Sequence, residues 1–538
     1  MTLVKSGALG GALNLVTRKP TEAFEYEARS GVALAGQPGY NGYNASLLVG
    51  GATQRYYWLA SGTQTRTDKW ELSEDFTPTP SENGGVRDHS ESGNWGVNLK
   101  FGVTPNATDE YSLSYSGIWG EKNATLSTID TIASQRNWRW PYWNLQSLYF
   151  LSNTSLGGGA YVQTKAYYNQ FKNLLVSFDD ANFNTQRTAR SFNSYYDDNA
   201  YGGSIELGTG LLGERDLIKG AFFYRRDVHR EWQTVFTPRL FTEPVQPSIE
   251  DTFSIACENR FHVTNQIDLV AGASYDWRKL HTAIEYIDPT ATVPGSVVVF
   301  PLADGDAING QGALIYNYSG SGHLYANISS RARFPTLFER AAFYSDVRNF
   351  IENVPILFCD TTSTVATKNC VGIGDLPGVN TAVTQTQNVG SGHFYGFELS
   401  ADARPFDDLQ LGIRYTYTYI NRKLDAQDPA NPPLPNNFHL TGVPQNQIFA
   451  YATWDALPGL SLTPSIQAAT RRWSNTMGTN VYSETGSYFM VNFTASYALT
   501  GTIDVEAGGR NLFDENYQFV NGFPQEGRSV FVNFRMRN

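Results

Sequence analysis

The chain has 538 residues, and 40 Lys and Arg against 51 Asp and Glu give it a formal charge of −11 and a pI near 5.2. That acidity, with no long basic run to offset it, excludes nucleic acid as a partner. Charged residues are only 17%, below the ~25% of an average soluble chain, while aromatics reach 14% and glycine numbers 49.

No stretch approaches ~18 consecutive apolar residues, which excludes transmembrane helices, and Met1 is not followed by the charged and apolar segments of a signal peptide. What recurs instead is alternation of period two, the pattern of a strand with one apolar and one wet face. In chain order it is clear at Trp95, Val97, Leu99, Phe101 and Val103, and at Tyr111, Leu113, Tyr115 and Trp119. It returns at Leu409, Leu411, Ile413, Tyr415, Tyr417 and Tyr419, at Phe489 to Leu499, and at Val530, Val532, Phe534 and Met536. Many segments are ~9 to 13 residues long, enough for a tilted strand to cross a bilayer. Short connections such as Thr104 to Glu110, Ser155 to Ala160, Val263 to Asp268 and Ser319 to Gly322 alternate with long ones. The long ones are Asp68 to Ser92, Thr234 to Ser248, Asp288 to Ile308, Pro355 to Val383 and Leu424 to Val443. Short turns at one end and long loops at the other are the mark of an outer-membrane barrel, with Trp58, Trp119, Trp277 and Trp454 as interfacial girdles. The predicted fold is therefore all-β, a transmembrane antiparallel β-barrel integral to the outer membrane of a Gram-negative bacterium. The less favoured alternative is a soluble sandwich or propeller.

Three aromatic and basic clusters are the candidate ligand-binding residues. Arg136, Trp138, Arg139, Trp140, Tyr142 and Trp143 sit near a strand end, where rings stack and guanidiniums pair with an anionic ligand. Arg226, Arg230 and Trp232 form a second cluster, in a strand whose alternation sends some cations into the channel; Arg471, Arg472 and Trp473 form a third. Each has a plainer reading, as girdle or as ordinary lumenal charge. Asp179, Asp180, Asp197 and Asp198 lack EF-hand spacing and read as solvated loop charge. Cys359 and Cys370 are close enough in sequence for a local disulfide in an oxidising compartment, leaving Cys257 unpaired. No HExxH, GxSxG or Walker string is present, so no catalytic, metal or cofactor site is predicted.

SGALGGALNLVTRKP at Ser6 to Pro20, with Gly10, Gly11 and Asn14, resembles the end of the plug domain of TonB-dependent outer-membrane receptors. SSRARFPTLFER at Ser329 to Arg340, with Arg333 and Pro335, and QNVGSGHFYGFELS at Gln387 to Ser400, with Gly396 and Glu398, resemble internal barrel strings of that family. GGRNLFDENYQFVNGFPQEGRSVFVNF at Gly508 to Phe534, with Asn511, Leu512, Phe513, Gly527 and Arg528, resembles its final hairpin. The resemblance implies a barrel of the 22-stranded type, of which about 21 strands are readable, one strand being absent after Arg340. It divides the chain into residues 1–20, a remnant of the plug's C-terminal end, and 21–538, the barrel. It implies TonB-energised uptake of a ferric siderophore or similar metal chelate. The TonB complex would be reached only through a plug that these residues do not encode. Alternatives are a passive outer-membrane channel or a non-functional receptor fragment, and cobalamin or an oligosaccharide as substrate. The terminal residue is Asn538, where such barrels commonly end on an aromatic.

Overall fold

A computed structural model describes residues 18–35, 39–210, 213, 215–237, 240–287, 295–299, 302, 304–318, 323–330, 346–347, 351–360, 370–371, 380–388, 390–424, 441–475 and 482–538. Among them the wall strands, in chain order, begin with β1 (Glu25–Ala35), β2 (Tyr40–Ala52), β3 (Tyr56–Thr67), β4 (Ser92–Val103), β5 (Glu110–Asn123), β6 (Asn137–Gly157) and β7 (Ala160–Phe178). They continue with β8 (Phe192–Thr209), β9 (Asp216–Val235), β10 (Gln246–His262), β11 (Ile267–Ile287), β12 (Gly305–Asn317), β13 (His323–Ser330) and the short β14 (Asp346–Val347). The last are β15 (Gly390–Phe406), β16 (Leu409–Leu424), β17 (Asn446–Leu457), β18 (Leu460–Ala469), β19 (Tyr488–Ala498), β20 (Ile503–Arg510) and β21 (Ser529–Arg537).

Every strand except the β13–β14 pair bonds antiparallel to its chain neighbour, and β1 pairs with β21 from Glu27↔Arg537 to Ala35↔Ser529, joining the chain's two ends. Pairing first strand to last removes the edge that each terminal strand would otherwise expose, which is what backbone amides need inside hydrocarbon. The described ladder ends at β13 on one side and β14 on the other, and these two run in the same direction. Residues 331–345, which join these two strands and where the sequence reading put the absent strand, lie outside the described residues. The Ser319 to Gly322 turn and the motif positions Gly10, Gly11, Asn14, Arg333 and Pro335 lie outside the described residues.

The alternation sets two faces. Phe101, Leu113 and Leu207 are 52%, 50% and 54% exposed and belong to the outward row, while Asn98, Ser112 and Glu206 on the same strands point inward. An exposed apolar row of this extent is a lipid-facing surface. Tryptophans mark its two levels. Trp58 and Trp454 lie near the short-turn end, and near the other end Trp95 stacks on Trp119 at 4.0 Å and Trp277 on Phe253 at 5.2 Å. The longest strands far exceed the predicted length: β6 and β11 have 21 residues, β9 has 20, β7 has 19 and β8 has 18. A tilted strand crosses the hydrocarbon in ~9 to 11 residues, so this side of the wall stands well above the girdle. There the outward residues turn polar, because they meet headgroups and water.

Candidate site at the outer mouth

The long loops are packed to one another. Asp514 lies at the turn after β20 with φ +59°, beside Asn511 at +48°, a left-handed conformation that Asn and Asp tolerate. Its carboxylate accepts from Glu74 N at 2.8 Å and Arg528 N at 2.6 Å, and its carbonyl accepts from Ser73 Oγ at 2.6 Å. The Asn511 side chain donates to Glu515 O, and Arg510 lies over the Phe531 ring at 5.3 Å. Gly527 is where it is because a Cβ there would meet Ser73 N at 2.7 Å. Leu512 N donates to Val491 O, while Phe513 is 73% exposed. The motif residues of this hairpin thus fix loop architecture. Gly396 and Glu398 sit in β15, with Glu398 opposite Thr416 on the inward row.

From that hairpin the packing passes around the mouth. Gly522 O accepts from Thr128 N at 2.8 Å, and Asn521 bonds Ser474 and Ser483. Ser81 Oγ donates to Ser127 O, and Arg190 Nη2 donates to Gln135 O. His89 stacks on Phe183 at 3.8 Å. The loop acids have structural work: Asp180 accepts hydrogen bonds from the Thr185 hydroxyl and from the N–H groups of Asn182, Asn184 and Thr185. The Thr185 hydroxyl first, then those amides, hold its carboxyl below the usual carboxylate range.

Below this collar lies an inward aromatic wall made by one irregularity. The register of β6 slips against both neighbours, between Trp140 and Trp143 on one side and between Arg139 and Tyr142 on the other. Pro141 is the extra residue, as expected for a residue with no N–H to give the ladder. Simple alternation would send Trp140 and Trp143 to opposite faces. The bulge brings both inward, with Trp138 beside them: Trp138–Trp140 and Trp140–Trp143 are each 6.1 Å edge contacts, and Trp143 meets Phe171 at 5.1 Å. Lys122 Nζ lies 4.8 Å from the Trp140 ring and 4.1 Å from Trp143. Arg136 caps the row, 4.8 Å over Trp138. Around the wall, Phe171 is opposite Asp198, which meets His229 Nδ1 at 2.8 Å, and Tyr196 lies edge-on to that imidazole at 5.0 Å.

The other candidates are placed differently. Arg139 and Tyr142 lie on the outward face of β6. Arg226, Arg230 and Trp232 are in the outward row of β9 with Phe222 and Tyr224, so the lumenal members of that cluster are Arg225, Asp227 and His229. Arg226 is held by Asp251 in two 2.7 Å bonds, and Trp232 stacks on Tyr195 at 5.2 Å. Arg471 is exposed and pairs with Glu484 at 2.9 Å. Arg472 is buried against Tyr488 and Phe519, and the Trp473 carbonyl accepts from Gly442 N. The structure therefore unites Arg136, Trp138, Trp140 and Trp143. It adds Lys122 and Phe171, which no local pattern singled out because each comes from a neighbouring strand. Cys359 and Cys370 are directly opposed in the hairpin Ile351–Asp360 with Cys370–Val371; their side chains lie outside the described residues.

Residues 340–512 match the family model for the TonB dependent receptor-like β-barrel. No curated protein matches the sequence. Among solved structures, the copper transporter OprC superposes with a TM-score of 0.71 at 13% identity, covering 96% of this chain and 81% of that one. The ferric yersiniabactin uptake receptor FyuA from Yersinia pestis gives 0.70 at 13% identity, with 98% and 82% covered. The siderophore receptor PiuA from Acinetobacter baumannii gives 0.70 at 12% identity, with 99% and 84% covered. At such identities the likeness is one of fold.

Proposed function

We propose that the chain is the β-barrel of a TonB-dependent receptor, an outer-membrane receptor for TonB-energised uptake of a ferric siderophore or similar metal chelate. The observation that carries this reading is the inward wall of Trp138, Trp140, Trp143 and Phe171 with Lys122 among the rings. Flat rings give contact area at little entropic cost, and an ammonium among them selects an anion or a polarised oxygen. The collar of loops fixes the mouth above that wall, so a ligand meets a preformed surface. The TonB-coupled step would act through a plug, whose C-terminal end residues 6–20 resemble. The proteins of like fold include a ferric yersiniabactin uptake receptor and a siderophore receptor, and a wall of rings with one ammonium suits a ligand that brings its metal already bound, since no cluster of three or more His, Cys, Asp or Glu is found among the described residues.

The test is equilibrium quenching of tryptophan fluorescence in the detergent-folded protein by a panel of ferric chelates. Saturable quenching by at least one chelate is expected, weakened at least tenfold by Trp140→Ala. A panel that gives no saturable quenching, or one on which Trp140→Ala has no effect, overturns the reading.

A further inference from the structure

Arg472 opens the short hairpin that Arg472–Asn475 and Tyr482–Thr485 make above β18 and β19. Other arginines at the mouth have carboxylate partners: Arg66 lies between Asp68 and Glu121, Arg87 meets Glu82, and the preceding Arg471 takes Glu484 at 2.9 Å. Arg472 has none. It is 7% exposed and its Nε and Nη2 are shut off from water; among the described residues neither nitrogen finds a hydrogen-bond acceptor, and no carboxylate comes within 4.0 Å. A buried cation left in this state is destabilising until something neutralises it. What surrounds it is aromatic: its guanidinium carbon lies 5.3 Å from the centre of the Tyr488 ring and 5.2 Å from that of Phe519. Tyr517 completes the cluster, 5.3 Å from Tyr488 and 5.4 Å from Phe519. Tyr488 and Met490 belong to the inward row of β19, whereas Phe489 between them is 50% exposed on the outer face, so the cluster lines the inside of the mouth. Ring faces offset part of the cost of the charge but accept no hydrogen bond of ordinary strength.

The two orphaned nitrogens identify the ligand. Nε and Nη2 form one edge of the guanidinium, where two N–H bonds run parallel in one plane and match the two oxygens of a carboxylate. A tetrahedral phosphate on the same edge would raise further oxygens out of that plane, toward the negative faces of the rings. A carboxylate stays in the plane. The cover over the guanidinium is slight: Tyr488 is 4% exposed, but Phe519 is 36% exposed and belongs to a hairpin of two short strands, Gln518–Val520 and Phe523–Pro524, joined at two register pairs. The tip of that hairpin bonds Ser474, Ser483 and Thr128 through Asn521 and Gly522. Ser127, beside Thr128, is bonded in turn to Gln135, the residue before Arg136 of the aromatic wall. One hairpin thus touches both Arg472 and the loop that leads into that wall. We propose that Arg472 binds a carboxylate of the incoming ligand through Nε and Nη2 once Phe519 turns aside, so that the chelate taken up is one that carries a free carboxylate. This rests on the receptor reading above and narrows its substrate class.

The test is isothermal titration of the full protein, folded in detergent. The probes are ferric citrate and ferric aerobactin, which keep free carboxylates, and ferrichrome and ferric enterobactin, which have none. Saturable binding of a carboxylate chelate is expected, about tenfold tighter than that of either carboxylate-free one and about tenfold weaker in R472M. R472K, which keeps the charge without the parallel fork, should recover only part of the loss. Without ligand, R472M should melt no lower than the wild type, because the charge it removes has no partner to lose. Equal affinity in R472M, a lower melting temperature for it, or displacement of the bound chelate by phosphate as readily as by free citrate overturns the proposal. If R472M loses heat-modifiability, the wild type's preference between the two kinds of chelate and the phosphate competition decide. Binding of carboxylate-free chelates alone sinks only this inference, whereas binding of no chelate of either kind sinks the receptor reading and this inference with it.

Discussion

Arg87 and Glu82 form an ion pair with both side chains at 0% exposure, in the loop between β3 and β4, and Arg87 also donates to the Leu126 carbonyl of the next long loop. Removing one member of such a pair leaves the other charged and dry, a loss of roughly 3–5 kcal/mol. Arg87→Ala is expected to open the collar between residues 68 and 91 without unfolding the barrel. Proteinase K should then cut that loop while heat-modifiability persists; an uncut loop contradicts the assignment. Lys122 offers a second residue-scale test. If its ammonium contacts the ligand, Lys122→Gln should weaken binding roughly tenfold, the effect of one charge-assisted contact of ~1.5 kcal/mol, and Lys122→Arg should recover most of it. Equal affinity in all three would remove Lys122 from the site.

At the scale of elements, the loop 179–191 is organised around the ionised Asp180. Its carboxyl is held below the ordinary value of 3.8, so the folded loop favours the anion. The contribution is complete above that ordinary value and is lost as pH falls through the lower folded one. Amide hydrogen exchange in 179–191 should therefore be slow at pH 7 and accelerate below about pH 3.8, and Asp180→Asn should show the fast exchange at both. The cysteine hairpin gives another test. Directly opposed positions on antiparallel strands have the Cα separation that a disulfide needs. We propose that Cys359 and Cys370 are bonded, and Cys257 is free and exposed. Maleimide labelling of the denatured chain should give one thiol without reductant and three with it. Element type was legible in the sequence: the strands at Trp95 to Val103, Leu409 to Tyr419 and Val530 to Met536 all formed with the expected faces. Their lengths were less so, because polar outward residues above a girdle look like loop to a reader of alternation.

For the molecule as a whole, the seam between first and last strand is the decisive property. The pairing of β1 with β21 joins residues some 500 apart in the chain, and Arg535 crosses that seam to Glu27 at 2.6 Å on the inward face. A closed wall should keep the unboiled protein compact in detergent and shift its electrophoretic mobility on heating. Disrupting the seam by Val532→Pro, which removes a ladder donor, should abolish the shift. A retained shift would mean that the seam is not what closes the wall.

Period-two alternation, loop asymmetry and low charge determined the barrel, because lipid on one face and water on the other impose a rule on every second residue. The NLFD and Gly-Arg strings marked the final hairpin, because left-handed turns and a close approach at Gly527 restrict which residues fit. Which side chains meet at the outer mouth was decided only by the tertiary structure. The face of Trp140 depends on a one-residue bulge at Pro141, the inward or outward sense of Arg226 depends on the register of β9 against β8 and β10, and Lys122 reaches Trp143 from a different strand. Register and bulge position arise from pairing between strands, and no single strand's sequence contains its partner.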